Sequence, residues 1–176
     1  MTTEFNIEGY PDERYMKIVT EARPTQATLV PDGPDVLTSN AGWDTIRHQA
    51  FLKELISKLK KIGTRVSLFV DPVPAMVEGA HKAGADRIEL YTEPYAREFL
   101  VSPEVAVKPY VESAKVAHSL GLGINAGHDL DLNNLRFFAQ SVPNLAEVSI
   151  GHAVVCDALY YGLENTVQLY IRQLKV

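Results

Sequence analysis

The chain has 176 residues, 46% hydrophobic and 22% charged, with a formal net charge of −5. Such a chain is long enough to bury a real core, carries no run of about 18 uncharged apolar residues that would span a membrane, and is too acidic for sequence-independent nucleic-acid binding. Its single cysteine, Cys156, excludes an intrachain disulfide framework and fits a reducing cytoplasm, and residues 1–5 lack the basic and apolar regions of a signal peptide.

In chain order, short apolar runs alternate with amphipathic ones. A strand is expected at Glu4–Glu8, then a helix over Asp12–Arg23 after a turn at Pro11, and a second strand at Gln26–Val30. Ala50–Ile62 places Phe51, Leu52, Leu55, Ile56 and Leu59 at helical spacing with lysines opposite. Arg65–Val70 is nearly continuous in apolar residues, the pattern of a strand buried on both faces in a parallel sheet. A helix opening on proline follows at Pro74–Ala83, then a strand at Arg87–Tyr91, a helix at Val105–Leu120 and a strand at Gly121–Asn125. The series closes with a helix at Leu132–Gln140, a strand at Glu147–Ile150 and one long helix at Asp157–Leu174, while Gly63, Gly84, Gly121 and Gly162 punctuate helix ends or turns. No linker or low-complexity tract divides the chain, so residues 1–176 read as one domain. Strand–helix repeated six times implies an α/β fold with a parallel sheet, either doubly wound or a barrel lacking two of eight strands.

Ionisable residues concentrate at the ends of these strands. Glu8 ends the first, Glu89 lies near the end of the fourth, His128 follows the fifth and His152 follows the sixth. Strand C-termini of a parallel fold share one face, where active sites are built. Glu8 could instead pair with Arg14, Glu89 could meet a surface arginine, and Asp129 or Asp131 could cap a helix after His128. Gly127 and Gly151 allow backbone amides to approach an anion, or simply make tight turns. His48, His81 and His118 are expected on outer helical faces, and Cys156 reads as a packed small residue. No zinc-ligand spacing or Walker motif is present, and Gly121-Leu122-Gly123 enters a strand instead of leaving one, so it is no dinucleotide fingerprint.

Phe5-Asn6-Ile7-Glu8-Gly9, Thr28-Leu29-Val30-Pro31-Asp32, Thr38-Ser39-Asn40-Ala41-Gly42-Trp43-Asp44, Val66-Ser67-Leu68-Phe69-Val70 and Ile88-Glu89-Leu90-Tyr91-Thr92 form a series. Ile124-Asn125-Ala126-Gly127-His128 and Val148-Ser149-Ile150-Gly151-His152-Ala153 complete it. These blocks, in this order, resemble the pyridoxine 5′-phosphate synthase family of vitamin B6 biosynthesis. The resemblance implies a TIM (β/α)₈ barrel of which strands three to eight are present and the first two βα units absent. With those units go a general-base histidine and a phosphate-binding arginine, so the chain alone is expected to be inactive. It further implies a ring-closing synthase of the transferase type that joins 1-deoxy-D-xylulose 5-phosphate to 3-amino-2-oxopropyl phosphate, releasing inorganic phosphate and water. No metal or organic cofactor is implied.

By position, Glu8 resembles the family's carboxylate base and His128 its proton donor. Thr38 looks like a contact to the deoxyxylulose phosphate. Gly151 and His152 look like ligands of the aminoketone phosphate, with the amide of Asp129 a further contact. Glu89 is added from its strand-end position as a carboxylate that orients or polarises the growing ring. The family also implies a homo-oligomer, an octamer in well-known members. Two rival readings are another sugar-phosphate isomerase or aldolase barrel, and an inactive truncated barrel acting as a binding or assembly subunit.

Overall fold

The structure, a computed structural model, describes residues 3–33 and 41–175. Its elements are β1 (Asn6–Gly9), α1 (Glu13–Ala22), β2 (Gln26–Leu29), α2 (Gln49–Lys61), β3 (Arg65–Val70), α3 (Pro74–Ala83), β4 (Arg87–Leu90), α4 (Glu93–Phe99), α5 (Pro103–Ser119), β5 (Gly123–Gly127), α6 (Leu135–Ser141), β6 (Leu145–Ser149), α7 (His152–Tyr161) and α8 (Leu163–Gln173). The six strands lie in the order β1-β2-β3-β4-β5-β6 and every neighbouring pair is parallel.

The sheet is strongly curled. Four strand spacings of about 4.8 Å would set β1 roughly 19 Å from β5 in a flat sheet. Yet Glu8 of β1 lies 3.1 Å from His128 just after β5, and Gln26 of β2 lies 3.5 Å from Glu147 of β6. Side chains from strands four places apart meet only if the sheet bends into an open part-barrel with one concave face.

Strand alternation then sorts the residues. Ala27, Leu29, Val66, Leu68, Val70, Ile88, Leu90, Ile124 and Ala126 belong to the main hydrophobic cluster with Leu52, Leu55, Ile56 and Leu59 of α2, Val77 and Ala80 of α3, and Tyr110 and Ala114 of α5. The core is therefore the layer between the sheet's convex face and the helices. The concave face is polar, yet Gln26, Thr28, Ser67, Glu89 and Asn125 on it are buried, so these strands are buried on both faces as expected. There Arg87 donates to Asn125 at 2.9 Å and to Glu147 at 2.8 Å, and Arg65 donates to Gln26 at 2.8 Å. Gly123 makes room for Arg87, because a Cβ at that position would meet the arginine's Cγ at 2.8 Å. Phe69 is the exception, packed with Val30 and Tyr91 in a small separate cluster on the inner side.

The local signals explain most boundaries. Asp12 caps α1 by accepting from the Tyr15 amide at 2.7 Å, Pro74 opens α3, and Gly84 closes it at φ 91°. Three expectations are corrected. The single helix over Asp157–Leu174 is two helices broken at Gly162, whose φ 77° and ψ 146° suit glycine alone. The fifth strand runs two residues later than expected, since Gly121 at φ 75° still closes the turn after α5. Helix α4 was not anticipated; Glu93-Pro94 starts it and a Glu93–Arg97 ion pair at 2.8 Å spans its first turn. No described helix is long and apolar enough to cross a membrane.

Candidate active site

The strand ends place three ionisable side chains in contact. His128 Nε2 lies 3.1 Å from Glu8 Oε1 and 3.6 Å from Glu89 Oε1. Glu89 points inward because Ile88 and Leu90 point out into the core, and Glu8 does the same three strands away on β1. A cleft of about 820 Å³ opens above them, lined by Glu8, His128, Asp129, Ser149, Gly151 and His152 among others. The sequence-predicted residues Glu8, Glu89, His128, Asp129, Gly151 and His152 thus gather at one rim, whereas Thr38 lies outside the described residues. Glu8 does not use Arg14, and neither Asp129 nor Asp131 caps a helix: Asn134 occupies the N-cap position of α6, with Asp131 accepting from the Asn133 and Asn134 amides in the turn before it. Cys156 is exposed, not packed, because α7 presents that face to solvent.

Two of the three groups depart from their ordinary proton affinity. Glu89 is wholly buried and neither carboxyl oxygen has a hydrogen-bond partner. Burial, then the nearby Glu8 charge, holds its carboxyl well above the usual carboxylate range, against the opposing pull of His128. His128 moves up as well, chiefly through its hydrogen bond to Glu8 and then the charges of Glu8, Glu89 and Asp129, with burial working the other way. Burial also raises Asp129. The site therefore combines a buried carboxyl pushed toward its protonated form with an imidazole that holds its proton more tightly than usual. Glu8, Glu89 and His128 also present three potential ligand atoms within 4.8 Å of one another. A cation there would have to displace the proton on Glu89, at the expense of ionising a buried carboxyl.

His128 adopts φ 55°, a left-handed conformation that costs a non-glycine residue roughly 1–2 kcal/mol. Its amide donates to the Ser149 carbonyl at 3.0 Å, and its ring stacks on Phe69 with centroids 4.9 Å apart. Gly127 before it is required by close approach: a Cβ there would fall inside the van der Waals envelope of the Ser149 carbonyl. Gly127→Ala is expected to destabilise the fold by about 3 kcal/mol, read from urea unfolding, as overpacking against backbone. Phe69 was missed in the sequence as a site residue. No local signal marks it, because its place opposite Glu89 depends on the register between β3 and β4.

Comparison with known proteins follows the same lines. Residues 1–176 match the family described as pyridoxal phosphate biosynthesis protein PdxJ. The chain is 65% identical over 175 residues to the pyridoxine 5′-phosphate synthase of Cytophaga hutchinsonii and 55% identical over 175 residues to that of Christiangramia forsetii, in each case covering 99% of this chain and 74% of the relative. Among solved structures, the BexX/CysO complex of Amycolatopsis orientalis superposes with a TM-score of 0.58 at 14% identity, covering 94% of this chain and 64% of that one. An O-GlcNAc hydrolase of Thermobaculum terrenum superposes with a TM-score of 0.61 at 13% identity, covering 97% and 44%. These two bear on the fold alone. With its full length matched and such identity to named synthases, the chain belongs to the PdxJ family, the pyridoxine 5′-phosphate synthases of vitamin B6 biosynthesis.

Proposed function

We propose that this site closes the pyridine ring of pyridoxine 5′-phosphate from 1-deoxy-D-xylulose 5-phosphate and 3-amino-2-oxopropyl phosphate, with loss of inorganic phosphate and water. The observation that carries the reading is the contact of two carboxyl groups, Glu8 and Glu89, with the His128 imidazole at the edge of an open cleft. Imine formation, dehydration, phosphate elimination and aromatisation each require proton transfers as their bonds form and break, and such a set can both take and give protons. Glu8, partly exposed, serves as the base that removes a carbon-bound proton. His128 returns protons to departing oxygens, and Glu89 supplies a neutral buried acid behind it.

Gly151 and His152 open α7, whose first-turn amides lack helical acceptors and suit a phosphate. Gly151 sits at φ −104° with nothing within 4 Å of the position a Cβ would take, so its small size answers no packing need. Gly151→Val should leave the thermal midpoint unmoved and raise KM for the aminoketone phosphate on the order of 10–100-fold, the worth of one or two charge-assisted hydrogen bonds. An unchanged KM would remove the phosphate from this turn. Thr38 contacts the second phosphate, whereas the Asp129 amide, expected as a further contact, donates to Thr92 Oγ1 at 3.3 Å.

The six strands are read as the third to eighth of a (β/α)₈ barrel within one domain, its first two βα units lying outside this chain. Half-exposed β1 and β6, the two edge strands of the sheet, support that completion. Exposed apolar side chains on α7 and α8, among them Leu159, Tyr160 and Leu163, support a homo-oligomer. The enzyme would act in the cytoplasm. The deciding experiment incubates the full natural protein with both substrates and follows pyridoxine 5′-phosphate by mass spectrometry. Product that depends on Glu8 and His128 upholds the reading, and a folded protein without product overturns it.

A further inference from the structure

We infer that Thr92 is a positioning residue for His128, its one hydroxyl holding the backbone on both sides of that residue in the left-handed turn that aims the imidazole at Glu8 and Glu89. The inference rests on the reading of His128 as a proton-transfer group. Thr92 is wholly buried at the end of β4. Its Oγ1 donates to the Gly127 carbonyl and accepts from the Asp129 amide at 3.3 Å, so both peptide groups flanking His128 end on a single side-chain atom.

Two observations separate this from ordinary fastening. Thr92 occupies the N-cap position of α4, where a threonine hydroxyl normally turns to its own helix, yet it makes no cap bond there. The hydroxyl is committed to the neighbouring strand end instead. Strands β4 and β5 are meanwhile already paired from Arg87–Gly123 through Leu90–Ala126, so the bond lies beyond the ladder and is not needed to join them. What it does restrain is a residue at φ 55°, a conformation histidine leaves readily when its neighbours are free. Asn134 adds a second restraint on the far side, its Nδ2 donating to the Asp129 carbonyl at 3.2 Å. The groups that face the held imidazole are Glu8, Glu89, Asp129 and the ring of Phe69.

The test uses the full natural protein with Thr92→Val, Thr92→Ala and Thr92→Ser, measuring kcat, KM, the thermal midpoint and the NMR titration of the His128 ring without substrate. Valine keeps the shape but sets a methyl group against the Gly127 carbonyl; alanine removes the hydroxyl without that clash and carries the test if the valine variant does not fold. Loss of the hydroxyl is expected to lower kcat by about 10–100-fold with KM nearly unchanged, and to bring the His128 titration down toward its ordinary value as the hydrogen bond to Glu8 is lost. Thr92→Ser should stay within about threefold of the parent in kcat. If Thr92→Ala lowers the thermal midpoint while the folded protein keeps its kcat and His128 titration, Thr92 is only a fastener and the inference falls. If the titration moves but kcat does not, positioning stands and the proton-transfer role of His128 falls instead.

Discussion

Replacing His128 with asparagine is expected to lower kcat by about 10²–10⁴, the range associated with loss of a general acid or base, while the fold is kept. The substitution is informative because of the backbone. At φ 55° asparagine is tolerated better than histidine, so the turn after β5 should hold without the imidazole. The asparagine amide matches the Nδ1 position, short of the Nε2 that lies 3.1 Å from Glu8, so the variant loses both that contact and the proton it carries. The pH dependence carries a sign as well. Because the folded state raises the affinity of His128 for its proton, its stabilising contribution is fully present below about 6.5, the unfolded value, and is lost as pH rises through the folded one. The parent should therefore gain stability over the variant at acidic pH and lose that margin above neutrality, as read from melts followed by circular dichroism. Glu8→Gln should lose turnover in the same range. Near-parental kcat in either variant would end its assigned role.

Glu89→Gln is expected to move activity and stability in opposite directions. In the parent a carboxyl sits fully buried with both oxygens unpartnered, and burial raises its proton affinity. The unfolded chain releases this proton near 4.5, the folded one only at a higher pH. The contribution of Glu89 to stability is thus fully present below the unfolded value and lost as pH rises through the folded one. Glutamine is the neutral near-isostere and has no such slope. At pH 8 the variant should be more stable than the parent by on the order of 1 kcal/mol, with the difference vanishing near pH 4, by urea unfolding at the two pH values. Its kcat should fall by about 10²-fold, since the amide holds no exchangeable acid proton of useful affinity. A variant as stable as the parent at both pH values would mean that Glu89 is not held neutral. Retained kcat would remove it from the proton transfers.

How much of this was legible before the fold was known depends on whether the signal was local. The alternation Ile88-Glu89-Leu90 predicts that Glu89 turns away from its neighbours, and the strand-end positions of Glu8 and His128 predict a shared rim. The contact among them was not legible, because it depends on the curl that brings β1 to the end of β5. The near-continuous run Val66–Val70 marks a strand buried on both faces, which it is, but it does not show that Ser67 alternates to the polar side and that only Phe69 keeps that face apolar at the site. Helix α4 carried its start signal in Glu93-Pro94, adjacent to a strand that was read one residue too long. Cys156 lies in an apolar stretch, and no local pattern distinguishes a helix packed on its own sheet from one with an apolar face in solvent. Thr92 has the residue type of a helix cap, and its bonds to the turn around His128 are entirely tertiary.

The alternation along each strand has a consequence for how this sequence can vary. Residues that hold the fold and residues that face the chemistry are interleaved one by one, the former on the convex side and the latter on the concave side. A point substitution on the inner side can alter proton affinity or charge without touching the helix-packed core. A deletion or insertion of one residue within β4 would do the reverse, turning Ile88 or Leu90 into the cleft and driving a carboxylate into the helix layer. Variation of this chain is therefore limited in the kind of inner side chain by the chemistry and in the length of its strands by the core, apart from the one-residue bulge that β6 already carries opposite Ile124 and Asn125.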